Sequence, residues 1–422
     1  MRYHRGIQRR KTVVFVNAKQ IMKIFEETAY IRTGGSPEEL RCAQYLQAKA
    51  AEMGLQAELL PFEVPMAQMQ EAVFEVDGVE IPCKGYLCAG TSEIEAPFYY
   101  LRNKDEYSLS QCRGKIVLID GYLGYWAYQD MLTYGAVGCV TYNGNVNFSD
   151  RDIDQRELRN YVHQGKRMAC VNINAKDVVA LIDKGAANAK IRLKQEEYTG
   201  TSHNVLLELP GEIPEYITFT AHYDSVPLSE GAYDNMSGSI GLLALAEYYA
   251  KHPHRYGLRF LWCGSEERGL LGSKAYCAEE ANLKDCVLNI NLDMIGSIMG
   301  KFISCVTAEE KLCHYISYLG SEMGFGVEVS QDVYSSDSTP FADKGIPAVS
   351  FARLAPHNTA SYHNRYDTMA VMKGEQMEAD IAFITAFADR MANAVRCPVK
   401  REMPEKMKEK LDNYLGRKRA NP

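Results

Sequence analysis

From residue 200 onward the chain alternates continuous apolar runs with helix-forming runs, and each apolar run closes on a histidine or an acidic residue. "YITFTAHYD" reads as a strand and "SGSIGLLALAEYYAKH" as a helix. "LRFLWCGSEE" is again a strand, "LLGSKAYCAEE" a helix, and "CVLNINLDMIGS" a third strand. Apolar runs without polar alternation have no solvent-facing side, so both faces of each strand must be covered. The predicted fold class is therefore α/β: a mostly parallel mixed sheet flanked by helices. In such sheets the functional site lies outside the carboxyl ends of the strands.

The residues at those ends are metal-binding types. His222 closes the first strand, Glu266 and Glu267 the second and Asp293 the third. Asp234, in the small-residue turn "GAYDNMSGSIG", follows the first strand, and His363 sits in "SYHNRYDT". Each has an ordinary structural reading by itself. A lone histidine hydrogen-bonds at a strand end, paired glutamates start a solvated helix, and an aspartate after a strand caps a helix. The coincidence of all five ligands on one sheet favours a metal site. Two imidazoles and three carboxylates suit zinc, with manganese or cobalt next. Five protein ligands are too many for one open tetrahedral zinc, but fit two ions about 3.5–4 Å apart that share a carboxylate and a water. Asp234 is the expected bridge, its small neighbours letting the backbone approach both ions. His203, His252, His254 and His357 read as structural histidines.

At 422 residues the chain exceeds what one core usually organises, which points to one large domain carrying an insertion or to two domains. "SPEELRCAQYLQAKAAEMG" begins with a Ser-Pro helix start and ends at Gly54. Between residues 63 and 198 the texture changes to short strand-like runs broken by Gly and Pro, among them "AVFEV", "KIVLIDGY", "GCVTYN", "MACVNIN" and "AKIRL". This segment reads as a separate β-rich unit. The last residues, "MPEKMKEKLDNYLGRKRANP", mix charges at helical spacing and read as a solvated helix, with self-association into a homo-oligomer as the alternative.

The N-terminal apolar run "TVVFV" is shorter than the roughly 7–15 apolar residues of a signal-peptide core. Twelve scattered cysteines without a C-x-x-C pair read as reduced, and the sequon at Asn235 as coincidental, so a cytoplasmic protein is expected. No stretch reaches the roughly 20 apolar residues of a membrane span. A net charge of -7 gives no reason to expect nucleic acid.

"AHYDSV", "GAYDNMSG", "SEERGLLGS", "NLDMIG" and "YHNRYDT", in that order, resemble the successive signatures of the di-zinc aminopeptidases of the M28 peptidase family. The resemblance implies a zinc exopeptidase fold of the phosphorylase/hydrolase-like type, built from residues 1–62 and 199–400, with 401–422 as a charged tail. It implies that Asp234 bridges two zinc ions, Glu267 and His363 completing one and His222 and Asp293 the other. Glu266 is then the general base that acts on a bridging hydroxide, in the hydrolysis of N-terminal residues from peptides with a free amino terminus. Asp224 orients His222, and Tyr362 is similar to a tyrosine that stabilises the oxyanion. The strand–helix–strand order of 115–143 resembles a protease-associated domain, so 63–198 is expected to be an inserted unit of that kind; a generic β-rich insertion is the alternative. One departure stands out: Ser338 in "SSDSTPF" occupies a place where the family often has histidine, which leaves the side-chain preference open. Other enzymes of the same fold, a carboxypeptidase or a single-zinc glutaminyl cyclase, are the competing readings, followed by a non-catalytic binding protein.

Overall fold

The strands Tyr256–Cys263 and Cys286–Leu292 are buried at every position, as expected where sheet faces are covered on both sides. In the computed structural model, which describes residues 17–356 and 359–419, both pair in parallel with Ile213–His222, placing Phe219 opposite Phe260 and Ile290. Ala348–Leu354 extends the parallel array beyond Cys286–Leu292, Lys301–Thr307 pairs antiparallel with Ala348–Leu354, and Glu328–Gln331 pairs parallel with Lys301–Thr307 at the edge. The run "TVVFV" and His357 lie outside the described residues.

Alternation along the strands divides the core. Leu258, Phe260 and Trp262 enter the larger cluster, beneath helices Ser237–Tyr249 and Gly374–Ala392, whereas Leu261 and Cys263 join Tyr276 and Phe341 on the opposite face. Helix Ser237–Tyr249 is buried nearly all round because it lies between the sheet and Gly374–Ala392. Helix Pro37–Glu52 starts as its sequence predicts: Ser36 Oγ accepts the Glu39 amide at 3.1 Å and Pro37 occupies the first turn. Among the described residues no helix is long and apolar enough to cross a membrane.

The strands that bound residues 63–198 are longer than the short runs expected. "AVFEV" is the end of a 20-residue strand, Ala57–Val76, and "AKIRL" the start of a 22-residue strand, Asn188–Leu209. The two pair antiparallel from Ala57↔Leu207 to Val76↔Ala189, with one irregularity at Met69/Glu71. This ribbon runs across both expected boundaries, and each strand satisfies the other's backbone groups, so no loop linker is needed. At its far end the strands Ile116–Ile119, Gly138–Asn143 and Ala169–Asn174 lie parallel around their own hydrophobic cluster, with helix Tyr125–Thr133 connecting the first two.

The C-terminal helix, Glu405–Tyr414, is not a solvated tail. Met407 and Leu411 are buried against Ala342, Ala348 and Met403, because the mixed charges occupy one face and leave an apolar stripe. Its end also reaches helix Tyr125–Thr133: Trp126 Nε1 donates to the Asn413 carbonyl at 3.2 Å, and Arg419 pairs with both oxygens of Asp130 at 2.7 and 2.9 Å. Leu411→Ala is expected to cost about 2–3 kcal/mol, the lower part of the range for a buried leucine. The denaturation midpoint measures this; a change indistinguishable from that of an exposed substitution would mean the helix is undocked in solution.

Candidate active site

The Asp234 turn is built by its neighbours. Gly231 takes a left-handed φ of 55°, and the buried Arg32 guanidinium donates to the carbonyls of Tyr223, Glu230 and Gly231, holding the loop that leads to it. The Asp367 carboxylate accepts the amides of Tyr233 and Asp234 at 2.8 and 3.0 Å. Asn235 Nδ2 donates to the Leu292 carbonyl, and its Oδ1 accepts from the amides of Gly238 and Met294. A Cβ on Gly238 would stand 2.2 Å from that Leu292 carbonyl, so only glycine lets this turn approach the strand that carries Asp293.

Five predicted ligands converge. Asp234 Oδ1 lies 3.1 Å from His222 Nε2, and its Oδ2 lies 3.2 Å from His363 Nε2. Glu267 Oε2 is also 3.2 Å from His363 Nε2, while Asp293 Oδ1 is 3.7 Å from His222 Nε2. Zinc holds such atoms at about 2.0–2.2 Å, which in tetrahedral geometry leaves neighbouring ligand atoms roughly 3.3–3.6 Å apart. The observed separations are of that size and fall into two half-sites with Asp234 in common. Glu267 Oε1 and Asp293 Oδ1 are buried without a hydrogen-bond partner, as atoms awaiting a cation would be. The donor set therefore fits metal ions. Glu266 Oε2, 3.8 Å from His222 Nε2, stands beside the cluster.

Asp224 does more than the sequence reading assigned to it. Its Oδ1 lies 3.4 Å from His222 Nδ1, and its carboxylate accepts the amides of Glu266 at 2.9 Å and Glu267 at 3.2 Å. One side chain thus links the histidine and glutamate strand ends. Glu39 supports the same turn from behind, accepting from Ser202 Oγ and the Ser265 amide. Sequence reasoning missed Glu39, Asp367 and Asn235. Asp367 and Asn235 lay in the singled-out motifs, whereas Glu39 had only the sign of an acidic residue on the apolar face of its helix.

The charges are crowded. Burial raises Glu267 to about 8 against the pull of His363, with Asp234 adding to the rise. Burial also raises Glu266 well above the usual range, against His222 and with Glu267 contributing. Burial disfavours a charged His363, yet Glu267 and Asp234 raise it to about 9. Burial works against an ionised Asp234 too, but His222 and His363 hold its carboxyl well below the ordinary range. Without a cation the folded site therefore binds protons at Glu267 and His363 more tightly than the unfolded chain, whose values are near 4.5 and 6.5. That stability is complete below the unfolded values and lost as pH rises through about 8 and 9. Chelator-treated protein is expected to melt at progressively lower temperature from pH 6 to 9, and zinc-loaded protein to show a flatter profile. Identical profiles would remove the charge crowding from this account.

The cluster opens to a cleft with two lobes of about 540 and 300 Å3 that share Glu267, His363, Tyr362, Tyr122 and Arg159. Tyr122 and Arg159 come from residues 77–187, between the two long strands, so that segment forms one wall of the cleft. Tyr362 is half exposed and its ring meets His363 edge-on at 4.9 Å. Ser338 is buried, its Oγ 2.9 Å from Ser350 Oγ. Its neighbour Asp337 is fully buried, has no hydrogen-bond partner, and is pushed up to about 7 by that burial, against His222. Two of the expected structural histidines make local bonds: His252 Nδ1 lies 2.8 Å from the Tyr248 carbonyl and His254 Nδ1 2.7 Å from the Tyr256 carbonyl. His203 Nδ1 is buried without a partner, away from the cluster.

Residues 204–387 match Peptidase family M28. Aminopeptidase YwaD of Bacillus subtilis (strain 168) is 26% identical over 397 residues, covering 89% of this chain and 85% of its own. Leupeptin-inactivating enzyme 1 of Streptomyces exfoliatus is 37% identical over 158 residues, 35% of either chain. Among solved structures, the zinc aminopeptidase BSAP from Bacillus subtilis superposes with a TM-score of 0.74 at 24% identity, over 93% of this chain and 99% of that one. At that identity the likeness shows a shared fold.

Proposed function

We propose, from the match of residues 204–387 to Peptidase family M28, that this chain is a zinc-dependent aminopeptidase acting on peptides with a free amino terminus. The observation that carries this reading is Asp234, whose two oxygens each face a different imidazole at the floor of a cleft. His222, Asp234 and Asp293 would hold one ion, and His363, Asp234 and Glu267 a second. Two zinc ions, when bound, would lower the pKa of a water between them and polarise the scissile carbonyl. The names of the B. subtilis relatives, an aminopeptidase and a zinc aminopeptidase, support the same assignment.

The chain's own residues then do the following. Glu266, buried beside the ligands, takes a proton from the attacking water as its carboxylate and returns it to the leaving amine. Asp224 holds the His222 tautomer and the backbone of both glutamates. The Tyr362 hydroxyl, exposed in the cleft beside His363, donates to the developing oxyanion. The inserted segment acts as a protease-associated-like cover that narrows access to the ions. Twelve free cysteines, mostly buried, support placing the protein in a reducing compartment such as the cytoplasm.

Metal analysis of protein purified without chelator is expected to find close to two zinc ions per chain. A panel of aminoacyl chromogenic amides should be cleaved only where the amine is free. One ion per chain, with turnover of N-terminal glutaminyl peptides to a ring product, would replace this reading with the cyclase.

A further inference from the structure

The larger lobe of the cleft has a charge imbalance that the proposed chemistry does not use. Its lining carries two carboxylates, Glu266 and Glu267, and both belong to the acidic centre already described. The remaining charged side chains are cations, Arg159 and Lys274. Among the described residues neither forms an ion pair. Nearby guanidiniums behave differently: Arg268 pairs with Glu157 at 2.8 Å, and Arg365 with Asp152 at 2.9 Å. Arg159 instead stands 5.8 Å from the Tyr122 ring centroid, and Lys274 Nζ stands 5.2 Å from that of Tyr161 and donates to the neutral Gly269 carbonyl at 2.9 Å. Aromatic faces can steady a cation without neutralising it, so the charge stays available to a ligand. In the adjoining lobe a third cation, Arg156, has a buried Nη1 without a hydrogen-bond partner. A cavity whose uncommitted charges are all positive is built for an anionic group.

We propose that Arg159 is a specificity-determining residue whose guanidinium, with Lys274 in the same lobe, receives a carboxylate of the peptide being cleaved. Arg159 is suited to this because its planar fork matches a carboxylate in two parallel hydrogen bonds. The substrates so selected are anionic peptides. Their carboxylate has two sources, the free C-terminus of a short peptide or an acidic side chain. The inference rests on the aminopeptidase reading, since it concerns what the same cleft holds.

The test uses zinc-loaded full-length protein and two matched pairs: Leu-Gly against Leu-Gly-amide, and Leu-Glu-amide against Leu-Gln-amide. Wild type is expected to favour the carboxylate-bearing member of at least one pair by about 10- to 100-fold in kcat/KM, the scale of a charge-assisted hydrogen bond. The pair that discriminates identifies the source. In Arg159→Ala that ratio should collapse towards one, and Arg159→Lys should restore part of it. A purely structural Arg159 would depress both members of a pair together and leave the ratio intact. An unchanged ratio in the variant, or a wild-type ratio near one in both pairs, overturns the proposal. If no peptide is cleaved, the aminopeptidase reading falls, and titration of both pairs into zinc-loaded Glu266→Gln still decides on Arg159. Tighter binding of the anionic member of either pair supports it, and equal affinities within both pairs end it.

Discussion

Glu266→Gln is expected to lose about 10²- to 10⁴-fold in kcat while retaining its metal ions, the usual range for removing a positioned acid/base. The change keeps volume and hydrogen-bonding capacity, and Gln cannot take a proton from the attacking water. Glu266 stands 3.8 Å from His222 Nε2, as far as Asp293 at 3.7 Å, and it is set apart by its neighbour Glu267 being the residue that faces His363. The backbone that presents Glu266 is held by Asp224 through its amide, which the substitution leaves in place. Parallel measurement of zinc content and kcat checks both halves. Wild-type turnover in the variant would take Glu266 out of the mechanism, and loss of zinc would make it a ligand.

Asp234→Ala is expected to reduce activity roughly a thousandfold or more, together with most of the bound metal, since even an outer-shell partner is worth about 10–100-fold in metal affinity. Both half-sites lose an oxygen at once, because Oδ1 and Oδ2 face different imidazoles. The turn itself should survive. Its anchors are the Asp367 carboxylate on the backbone amides and the Asn235 side chain on Leu292 and Gly238, and none of these uses the Asp234 side chain. Circular dichroism should therefore remain native while zinc content falls. A variant that keeps two zinc ions per chain would show that Asp234 is not shared between them.

The cluster was legible in the sequence wherever a candidate residue sits at a strand end. His222, Glu266, Glu267 and Asp293 each follow an apolar run whose length and burial are local properties, and a parallel sheet brings such ends to one edge. Asp224, Asp234 and His363 were legible through the order of their motifs. The supporting shell was not. Glu39 lies more than 160 residues from Ser202 in the chain, and its burial on a helix face has meaning only once Ser202 and Ser265 arrive to donate to it. The Asn235 clamp likewise depends on a distant carbonyl, Leu292.

The sequence by itself determined the α/β class, the strands that end in candidate ligands and the acidic, histidine-bearing character of the centre, because strand periodicity and terminal residues are written within a few positions of one another. Tertiary structure decided three other things: that a long antiparallel ribbon joins residues 77–187 to the sheet, that the C-terminal helix docks rather than floats, and that Arg159 reaches a cleft whose other wall is formed mainly by residues after 260. These depend on which remote surfaces meet, and that is set by the packing of whole faces rather than by any local pattern.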